Sequence, residues 1–402
     1  MSNNIKEKSG CSGCSACFIV CPVGAIEYKL NDDGFYEAFV DNEKCVNCGK
    51  CKKVCTKFDD ELEKANNIEN GVIYSAQSND ENVIKTCTSG GIAYEIAKYG
   101  IENGYSIVGV VYNYSENKAQ TIIAKTIKDL DAIKGSKYIQ SDVHKAFKDV
   151  IKEAKEDENK KYIIFGTPCQ IAGIKKVIEI EKINNDIITV DLFCHGVPSY
   201  KVWNEYLNWL NNKKKIDKID NIIFRSKHIG WHDFCIEIHG NDRDYYKCAE
   251  GDLFYKAFFD DVLLNESCFN CKTRMCKSYA DIRLGDFWGK RYINRQDGVS
   301  AVLVLTDTGK KLIENLKKNK IINIIDKCNN EECFSTQSIK EYKTLELSKK
   351  SFEFLKSNSL EETIKFYRKK LDTKTKIKKS LKESTAILPD KARSILRRIS
   401  KK

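Results

Sequence analysis

The cysteines near the start of the chain form two copies of one motif. Within each copy, four cysteines are separated by two, two and three residues, and the second copy follows the first by 34 residues. Two-residue loops let three thiolates converge on one iron–sulfur cube, and the three-residue step directs the fourth thiolate away. The pattern therefore predicts electron-transfer chemistry. The cysteines are Cys11, Cys14, Cys17 and Cys21 in the first motif, and Cys45, Cys48, Cys51 and Cys55 in the second.

The duplicated run resembles that of two-cluster bacterial ferredoxins, in which the fourth cysteine of each run binds the other cluster. This resemblance predicts two 4Fe-4S clusters. It also implies that Cys21 of the first motif binds the second cluster and that Cys55 of the second motif binds the first. The predicted ligands are Cys11, Cys14, Cys17 and Cys55 for the first cluster, and Cys45, Cys48, Cys51 and Cys21 for the second.

Zinc ligation and disulfides are the alternative explanations of these cysteines. Structural zinc sites use two well-separated pairs of ligands, which two four-cysteine runs do not resemble. Disulfides are typical of secreted proteins, and the first ten residues, MSNNIKEKSG, lack the apolar stretch of a signal peptide. The 18 cysteines of the chain therefore indicate metal ligation in a reducing cytoplasm.

The net charge of +11 is concentrated at the C-terminal end. Residues 365–402 contain fifteen Lys or Arg and three acidic residues, whereas the first 364 residues contain 53 basic and 54 acidic residues. A nucleic-acid surface would spread basic residues over a folded face with aromatic residues among them, so we expect no nucleic-acid partner. No apolar run approaches the length of a membrane span.

Composition and periodicity divide the chain into a cysteine module (1–58), a polar linker (59–70), a core (71–335) and a lysine-rich helical tail (336–402). In the core, apolar strand runs alternate with helical patterns, which predicts a mixed sheet covered by helices. The predicted fold is an α+β two-cluster module, an α/β core in two parts (71–160 and 161–335) and a basic tail. Predicted strands span 71–78, 106–113, 162–167 and 187–194, with helices at 91–103, 143–156 and 169–179.

Two glycine- and hydroxyl-rich loops could bind phosphate or a ring edge. Thr88-Ser89-Gly90-Gly91 begins a helix, where exposed backbone N–H groups attract anions; an ordinary helix cap is the alternative. The second loop, GSKYIQS at 135–141, lies between two helical patterns and could equally be a surface loop.

Two further cysteines follow apolar strands, at the sheet edge where α/β proteins bind ligands. Cys169, in Gly166-Thr167-Pro168-Cys169-Gln170, could be a cluster ligand, a redox thiol or a buried cysteine. His195, in Cys194-His195-Gly196, could donate a proton near neutral pH or have only a structural role.

A third cysteine motif, Cys268-x2-Cys271-x4-Cys276, predicts a third metal centre. Three ligands do not complete a cube, so a distant cysteine must join them. We expect Cys194 to be the fourth ligand, with Cys169 as the alternative.

The order of these motifs resembles that of the beta-subunit family of coenzyme F420 hydrogenases and dehydrogenases. TSGG, GSKYIQS, FGTPCQIAG, VDLFCHGVPS, FRSKHIGWHDF, CFNC and DIRLGDFWG occur in this order. The resemblance runs from about residue 11 to about residue 330, and it implies an iron–sulfur flavoprotein. The implied FAD-binding residues are Ser89, Gly90, Gly91, Ser136, Lys137, Tyr138, Thr167 and Gln170.

The sequence therefore predicts an oxidoreductase that passes single electrons between 4Fe-4S clusters and FAD for hydride transfer with coenzyme F420 or another small acceptor. Lys137 and His195 are the expected catalytic residues. The alternative is an electron-transfer subunit of a larger complex with no small-molecule site. The expected partners are a ferredoxin-like or other redox protein and a small hydride acceptor, and the expected location is the cytoplasm.

The C-terminal residues raise the separate possibility of membrane contact. After Pro389, an apolar stripe within a basic helix could lie on an anionic membrane. The stripe is short and lacks Trp and Phe, so a solvated or partly disordered terminus, or a helix that folds back on the core, is favoured over membrane contact. Its members are Ala392, Ile395, Leu396 and Ile399.

Overall fold

The computed structural model of the protein describes residues 3–7, 10–59 and 61–385, together with residues 388 and 392. Its N-terminal module consists of one β-hairpin and two short helices, and each helix carries a cysteine of one motif. These elements are α1 (Ala16–Ile19), β1 (Ile26–Leu30), β2 (Tyr36–Val40) and α2 (Lys50–Val54).

Of the sixteen strands that the structure describes, fourteen lie in the core. They are β3 (Asn66–Asn67), β4 (Val72–Ser78), β5 (Tyr105–Asn113), β6 (Lys118–Ala124), β7 (Ser141–Asp142), β8 (Lys161–Phe165), β9 (Ile187–Leu192), β10 (Asn221–Ser226), β11 (Cys235–Gly240), β12 (Arg243–Cys248), β13 (Lys277–Ser278), β14 (Ile282–Asp286), β15 (Ser300–Val304) and β16 (Ile322–Cys328). The helices are α3 (Glu81–Thr86), α4 (Ile92–Glu102), α5 (Ile127–Ile133), α6 (His144–Glu156), α7 (Pro168–Ile180), α8 (Tyr200–Trp209), α9 (Leu253–Phe259), α10 (Lys272–Met275), α11 (Asp307–Lys318), α12 (Asn330–Phe334), α13 (Leu345–Leu355), α14 (Leu360–Arg368) and α15 (Thr373–Thr385).

Nine strands form one mixed sheet in the order β16-β4-β15-β14-β9-β8-β5-β6-β7. The four central strands, β14, β9, β8 and β5, run parallel, and antiparallel pairs flank them. A parallel centre is covered on both faces and is therefore almost continuously apolar in sequence, as β8 and β9 are. The mixed sheet predicted from the sequence is confirmed, and the observed ends of the seven predicted elements differ by at most two residues.

Helices cover both faces of this sheet, and alternate residues of each central strand point to opposite layers. Ile164 of β8 packs with α6, α7 and the N-terminal module, whose Cys14 and Val54 belong to the same buried cluster. Ile163, its neighbour, packs instead with α4 and α11 on the opposite face. The N-terminal module is therefore part of one covering layer of the core.

A second, antiparallel sheet (β10-β11-β12) packs against α8 and α9 through an aromatic cluster centred on Trp203. Helices α13 and α14 add Phe352 and Tyr367 to the same cluster. Residues up to the end of α14 therefore pack as part of the core, although the sequence pattern assigned everything after 335 to a separate tail. Apolar residues among many lysines in this segment concealed its buried face.

The segment 59–70, expected to be a linker, also packs against the core. Leu62, Ala65 and Ile68 are buried, and Asn66–Asn67 pairs antiparallel with Lys277–Ser278. The charged residues around these three side chains made the segment look like solvent-exposed chain. The sequence analysis also missed β3, β6, β7, β13 and β16.

Within the described ranges, no helix is both long and apolar enough to cross a membrane. The apolar stripe predicted after Pro389 lies outside the described residues, except for Ala392.

Candidate functional site

The first cluster site brings Cys55 of the second motif beside the first motif. Burial, together with the adjacent thiols of Cys55 and Cys11, raises the pKa of the Cys14 thiol to about 12. Thiols that disfavour one another's ionisation become thiolates readily only beside positive charge, which a cluster's iron would supply. The arrangement suits the exchanged ligand set expected from the spacing.

The second cluster site is a small cavity of about 20 Å³ at the surface of the N-terminal module. Two N–H groups point at its sulfurs: the Ala25 amide lies 3.2 Å from Cys21 Sγ, and Asn4 Nδ2 lies 3.5 Å from Cys45 Sγ. Such hydrogen bonds tune cluster potentials. All four predicted ligands of this cluster line the cavity, namely Cys21, Cys45, Cys48 and Cys51.

A third group of thiols lies at the carboxyl ends of β8 and β9. Burial raises the pKa of Cys169 well above its usual value, with Cys271, Cys194 and Cys268 adding to the shift in that order. Thr167 Oγ1 lies 3.2 Å from Cys169 Sγ. These four half-buried cysteines suit a 4Fe-4S cluster, because Cys169 and Cys194 follow two strands and the other two come from one short segment, which gives four thiolates.

The structure does not bring Cys276 into this group. Cys276 is exposed, and its Sγ lies 3.5 Å from the carbonyl oxygen of Lys272. Cys271 precedes α10 and Cys276 follows it, so the helix separates the two cysteines. The group instead contains both of the cysteines that were considered as its fourth ligand, Cys169 and Cys194. Within the described residues, no three Cys, His, Asp or Glu side chains are arranged to hold a single metal ion.

A cavity of about 1110 Å³ opens beside this cysteine group, at the carboxyl ends of β8, β9 and β14. Ligands bind at this edge in α/β sheets. Cys194 lines the cavity and belongs to the cysteine group, so it lies between the two sites. The predicted cofactor-binding residues that line the cavity are Ser89, Gly91, Ser136, Lys137, Tyr138, Thr167 and Gln170.

The start of α4 offers backbone N–H groups to this cavity. Gly91 precedes the helix with φ of 87°, a left-handed conformation that favours glycine. No side chain caps this helix start, and Ile92 and Tyr94 also line the cavity. Gly90 lies behind the loop, where its N–H donates to Ser300 Oγ at 3.0 Å. Its role is therefore to hold the loop in place.

The start of α7 is satisfied by its own residues. Gln170 Oε1 accepts a hydrogen bond from the Thr167 N–H at 3.0 Å, and its Nε2 donates to Ser141 Oγ at 3.0 Å. Of these two helix starts, that of α4 is consequently the better site for phosphate.

Lys137 stabilises a loop in this structure. Its Nζ donates to the carbonyl oxygens of Ile133 at 2.8 Å, Lys134 at 3.0 Å and Ala132 at 3.1 Å, at the C-terminal end of α5. Burial lowers the pKa of Lys137 to about 7. These contacts anchor its amine to the backbone at the cavity wall, and its expected catalytic role stays a prediction.

His195 is fixed at the cavity wall by partners on both ring nitrogens. Nδ1 lies 2.9 Å from Ser338 Oγ, and Nε2 lies 2.8 Å from Asp261 Oδ1. Burial opposes the ionisation of Asp261, but His195 and the nearby charges of Lys340 and Lys379 outweigh it and lower the pKa of Asp261. His195 thus lies between Ser338 and Asp261, next to Cys194 in the chain.

Four residues at or beside the cavity were not assigned roles from the sequence, although all four belong to the quoted motifs. Two of them, Arg225 and Asp286, line the cavity. Arg225 of FRSKHIG pairs with Asp286 of DIRLGDFWG, with Nη2 2.9 Å from Oδ1. Trp231 Nε1 donates to the same Asp286 oxygen at 2.6 Å. Lys227 donates to the carbonyl oxygen of Ser89 at 2.9 Å and restrains that loop. Charged residues within glycine- and aromatic-rich motifs were the signal that could have identified them.

The C-terminal helices form the outer wall of the cavity. Asp260, whose side chain is 3% exposed, accepts hydrogen bonds from Arg368 of α14 and from Lys379 of α15 at 2.6 Å. Arg368 also pairs with Glu383 of α15. Arg368, Lys379 and Glu383 all line the cavity, although the sequence pattern placed them in the tail.

Helix α7 connects the first cluster site to the core cysteine group. Gly173 lies one turn after Cys169, and a Cβ at Gly173 would meet Cys14 Sγ at 2.9 Å and Cys14 Cβ at 3.0 Å. Only glycine permits this approach without a shift of the neighbour. The first cluster site and the core group therefore share one face of α7.

Three parts of the sequence match known families. Residues 73–148 and 159–329 match the N-terminal and C-terminal parts of the coenzyme F420 hydrogenase/dehydrogenase beta subunit. Residues 10–58 match the 4Fe-4S dicluster domain. The chain therefore belongs to the coenzyme F420 hydrogenase/dehydrogenase beta-subunit family and carries an N-terminal dicluster domain, which confirms the resemblance found in the motifs.

Individual relatives are distant. One of the subunits of the F420H2 dehydrogenase of Methanosarcina mazei is 22% identical over 322 residues, which cover 76% of this chain and 82% of that protein. The coenzyme F420-dependent sulfite reductase of Methanocaldococcus jannaschii is 22% identical over 80% of this chain, which spans 48% of that protein. A chain of the F420-reducing NiFe hydrogenase complex from Methanosarcina barkeri is 17% identical, with a TM-score of 0.45 over 70% of this chain and 91% of that chain.

Proposed function

We propose that the protein is an iron–sulfur flavoprotein oxidoreductase that holds three 4Fe-4S clusters and one FAD. Its acceptor or donor of hydride is a small molecule, with coenzyme F420 favoured because two relatives are described as F420H2- or F420-dependent. When bound, the clusters and the flavin supply one-electron carriage and its conversion into hydride chemistry. The proposal rests on the position of Cys194, which belongs to the core cysteine group and also lines the large cavity.

The chain's own residues suit these groups. The uncapped start of α4, with Lys134 nearby on the cavity wall, would hold the FAD phosphates. Cys169, Cys194, Cys268 and Cys271 would hold the third cluster. The Thr167 hydroxyl would orient the Cys169 thiolate, since the ligand's hydrogen-bond partners set its geometry.

His195 is the candidate for holding a proton at the site of hydride exchange. Asp261 and Ser338 fix its ring against the cavity wall. Lys137 and Lys227 act differently, because their ammonium groups hold the backbone of the two loops that line the cavity.

The second candidate is an electron-transfer subunit with no small-molecule site. The description of one relative as part of a dehydrogenase agrees with it. Against it stands the cavity of about 1110 Å³, because typical ligand pockets measure about 300–1,000 Å³. We therefore favour a catalytic role, which does not exclude a protein partner.

Anaerobic purification followed by cofactor analysis tests the proposal. We expect about one FAD per chain and about twelve iron atoms, the content of three cubes. Reduced coenzyme F420, reduced nicotinamides and other donors are then screened by bleaching of the flavin absorbance. Protein that contains no flavin and takes up none from added FAD would refute the proposal.

A matched pair of glycine variants locates the FAD. Gly91 and Gly104 both have a positive φ, of 87° and 79°, so alanine strains the backbone equally at both. A Cβ at Gly91 would also meet Val83 at 2.7 Å beside the cavity, whereas at Gly104 it meets nothing within 4 Å. We expect Gly91→Ala to weaken FAD binding at least tenfold and Gly104→Ala to leave it unchanged.

A further inference from the structure

The two cysteine motifs differ in charge and in exposure. Residues 11–26 contain no charged residue, whereas residues 44–57 contain five lysines and no acidic residue. Cys14 of the first motif is buried against α7. Cys48 of the second motif is exposed, as is the adjacent Val46 at 61%. Only the second motif thus meets solvent with an exposed cysteine, among the residues that the structure describes.

Apolar side chains surround the second cluster site at the surface. Val23 and Val46 line its small cavity together with the four cysteines, and they are 44% and 61% exposed. Exposed valines beside a redox site form an apolar patch that a partner can cover, since interface centres are apolar and their rims polar.

Lysines form the rim of this patch. Lys50 and Lys53 lie on α2 and are exposed. Lys44 is also exposed and pairs with Asp41 at 3.0 Å, and Glu43 is the other exposed acid in this segment. The balance of charge around the second cluster site is therefore positive.

We propose that this second-motif surface, formed by Val23, Val46, Cys48, Lys50 and Lys53, docks an acidic electron-carrier protein. The inference rests on the proposed function, since it assigns the second cluster as the group that exchanges electrons with the partner. One electron leaves the carrier as the cluster is reduced, or the reverse, and no proton moves or bond forms. Opposite charges speed such encounters and make them sensitive to salt.

Binding and reduction by a defined carrier test the inference on the full, cluster-loaded chain. An acidic plant-type ferredoxin serves as the probe, and a basic c-type cytochrome serves as the probe of opposite charge. We expect wild-type protein to bind the ferredoxin at low salt, more weakly as salt rises, and to bind the cytochrome poorly. We expect Lys50→Glu/Lys53→Glu to weaken ferredoxin binding about tenfold and to slow electron exchange with it.

The matched control is Lys311→Glu/Lys318→Glu, which reverses two exposed lysines of α11 on the core. It should bind ferredoxin as the wild type does. Iron content and reduction by dithionite should be unchanged in both variants, which separates loss of docking from loss of folding.

Three results would overturn the inference: ferredoxin binding that is insensitive to salt, equal binding by both double variants, or tighter binding of the cytochrome. Binding to anionic vesicles instead of ferredoxin, abolished by Lys50→Glu/Lys53→Glu, would assign the surface to a membrane and also overturn it. Flavin content and flavin bleaching by small donors are measured in parallel. If they are normal while docking fails, the proposed function stands and this inference does not.

Discussion

At the scale of single residues, the core cysteine group shows how a spacing rule can assign a wrong neighbour. The motif Cys268-x2-Cys271-x4-Cys276 suggests three ligands in one loop. In the structure α10 turns the last cysteine outward, and Cys169 completes the group from the start of α7. Chain separation of about a hundred residues does not prevent two thiols from meeting at one sheet edge.

Substitution of single cysteines tests which of them bind the core cluster. We expect Cys169→Ala to lower the iron content by about four atoms per chain, the content of one cube, and to remove one cluster signal from electron paramagnetic resonance. Cys276→Ala is the matched control, because Cys276 is exposed and its thiol contacts only the backbone of Lys272 among the contacts described. This variant should keep all of its iron. Loss of iron from Cys276→Ala with none from Cys169→Ala would restore the ligand set expected from the spacing.

Lys137 yields a second residue-scale prediction. Lys137→Met removes the hydrogen bonds to the carbonyl oxygens that end α5 and leaves those groups without their donor. We expect a loss of about 1–3 kcal/mol in the free energy of unfolding, measured by denaturant titration. With saturating FAD, flavin reduction should keep its pH profile. A lost pH step with unchanged stability would instead make Lys137 a catalytic residue.

At the scale of elements, α7 carries Cys169, a proposed cluster ligand, at its start and the contact with the N-terminal module one turn later. Alanine normally stabilises a helix interior relative to glycine by about 0.5–1 kcal/mol. At Gly173 the added Cβ would press on Cys14, so we expect Gly173→Ala to destabilise by about 1–3 kcal/mol. Loss of cluster absorbance during denaturant titration measures this change. A stabilised variant would show that the module does not pack closely on α7.

Helix α15 changes the expectation for the tail. From the sequence alone, deletion of residues 372–402 is expected to leave cofactors intact and to remove any binding to anionic vesicles. In the structure α15 lines the cavity and buries no residue of its own. Ion pairs therefore hold it: its Lys379 pairs with Asp260, and its Glu383 pairs with Arg368 of α14. We propose that the core extends to the end of α14 and that α15 covers the cavity.

Asp260→Asn tests how α15 is held. The substitution keeps the shape of the side chain but leaves Arg368 and Lys379 without their carboxylate, which costs about 3 kcal/mol when the partner is buried. We expect faster trypsin cleavage within 373–385 and weaker retention of FAD. Glu361→Gln, an exposed position on α14, should cleave at the wild-type rate. Equal cleavage of both variants would contradict this role of Asp260.

At the scale of the whole molecule, the N-terminal module and the core are not independent. Cys14, Cys17 and Val54 share one buried cluster with Phe147 and Ile171 of α6 and α7. Gln140 also joins them, because its Oε1 accepts from the Tyr36 N–H at 2.7 Å. The proposed electron transfer between the two parts therefore needs no domain movement.

Separation of the two parts tests this packing. We expect a fragment 61–402 to expose the apolar surface of α6 and α7, to bind a hydrophobic dye and to unfold at a lower temperature than the full chain. Calorimetry and dye fluorescence of both proteins provide the measurement. A fragment as stable as the full chain would show that the interface contributes little.

Much of the fold could be predicted because its signals are local. Buried parallel strands such as β8 and β9 are continuous apolar runs, and α4, α6 and α7 follow the helical period, so pattern alone located them. Local patterns failed where packing partners are distant in the chain. Leu62 and Tyr367 lie among charged residues, and only contact with the core makes them buried.

The sequence by itself determined the chemistry of the chain. The duplicated cysteine spacing specified a dicluster domain, and the order of the core motifs specified the family, because ligand spacing and loop composition are properties of short segments. The tertiary structure decided which distant residues meet. It brought Cys169 close to Cys194, Cys268 and Cys271. It placed the Lys137 amine against backbone carbonyl groups and α15 at the cavity. Those outcomes depend on how the sheet brings strand ends and helices together, which no local pattern encodes.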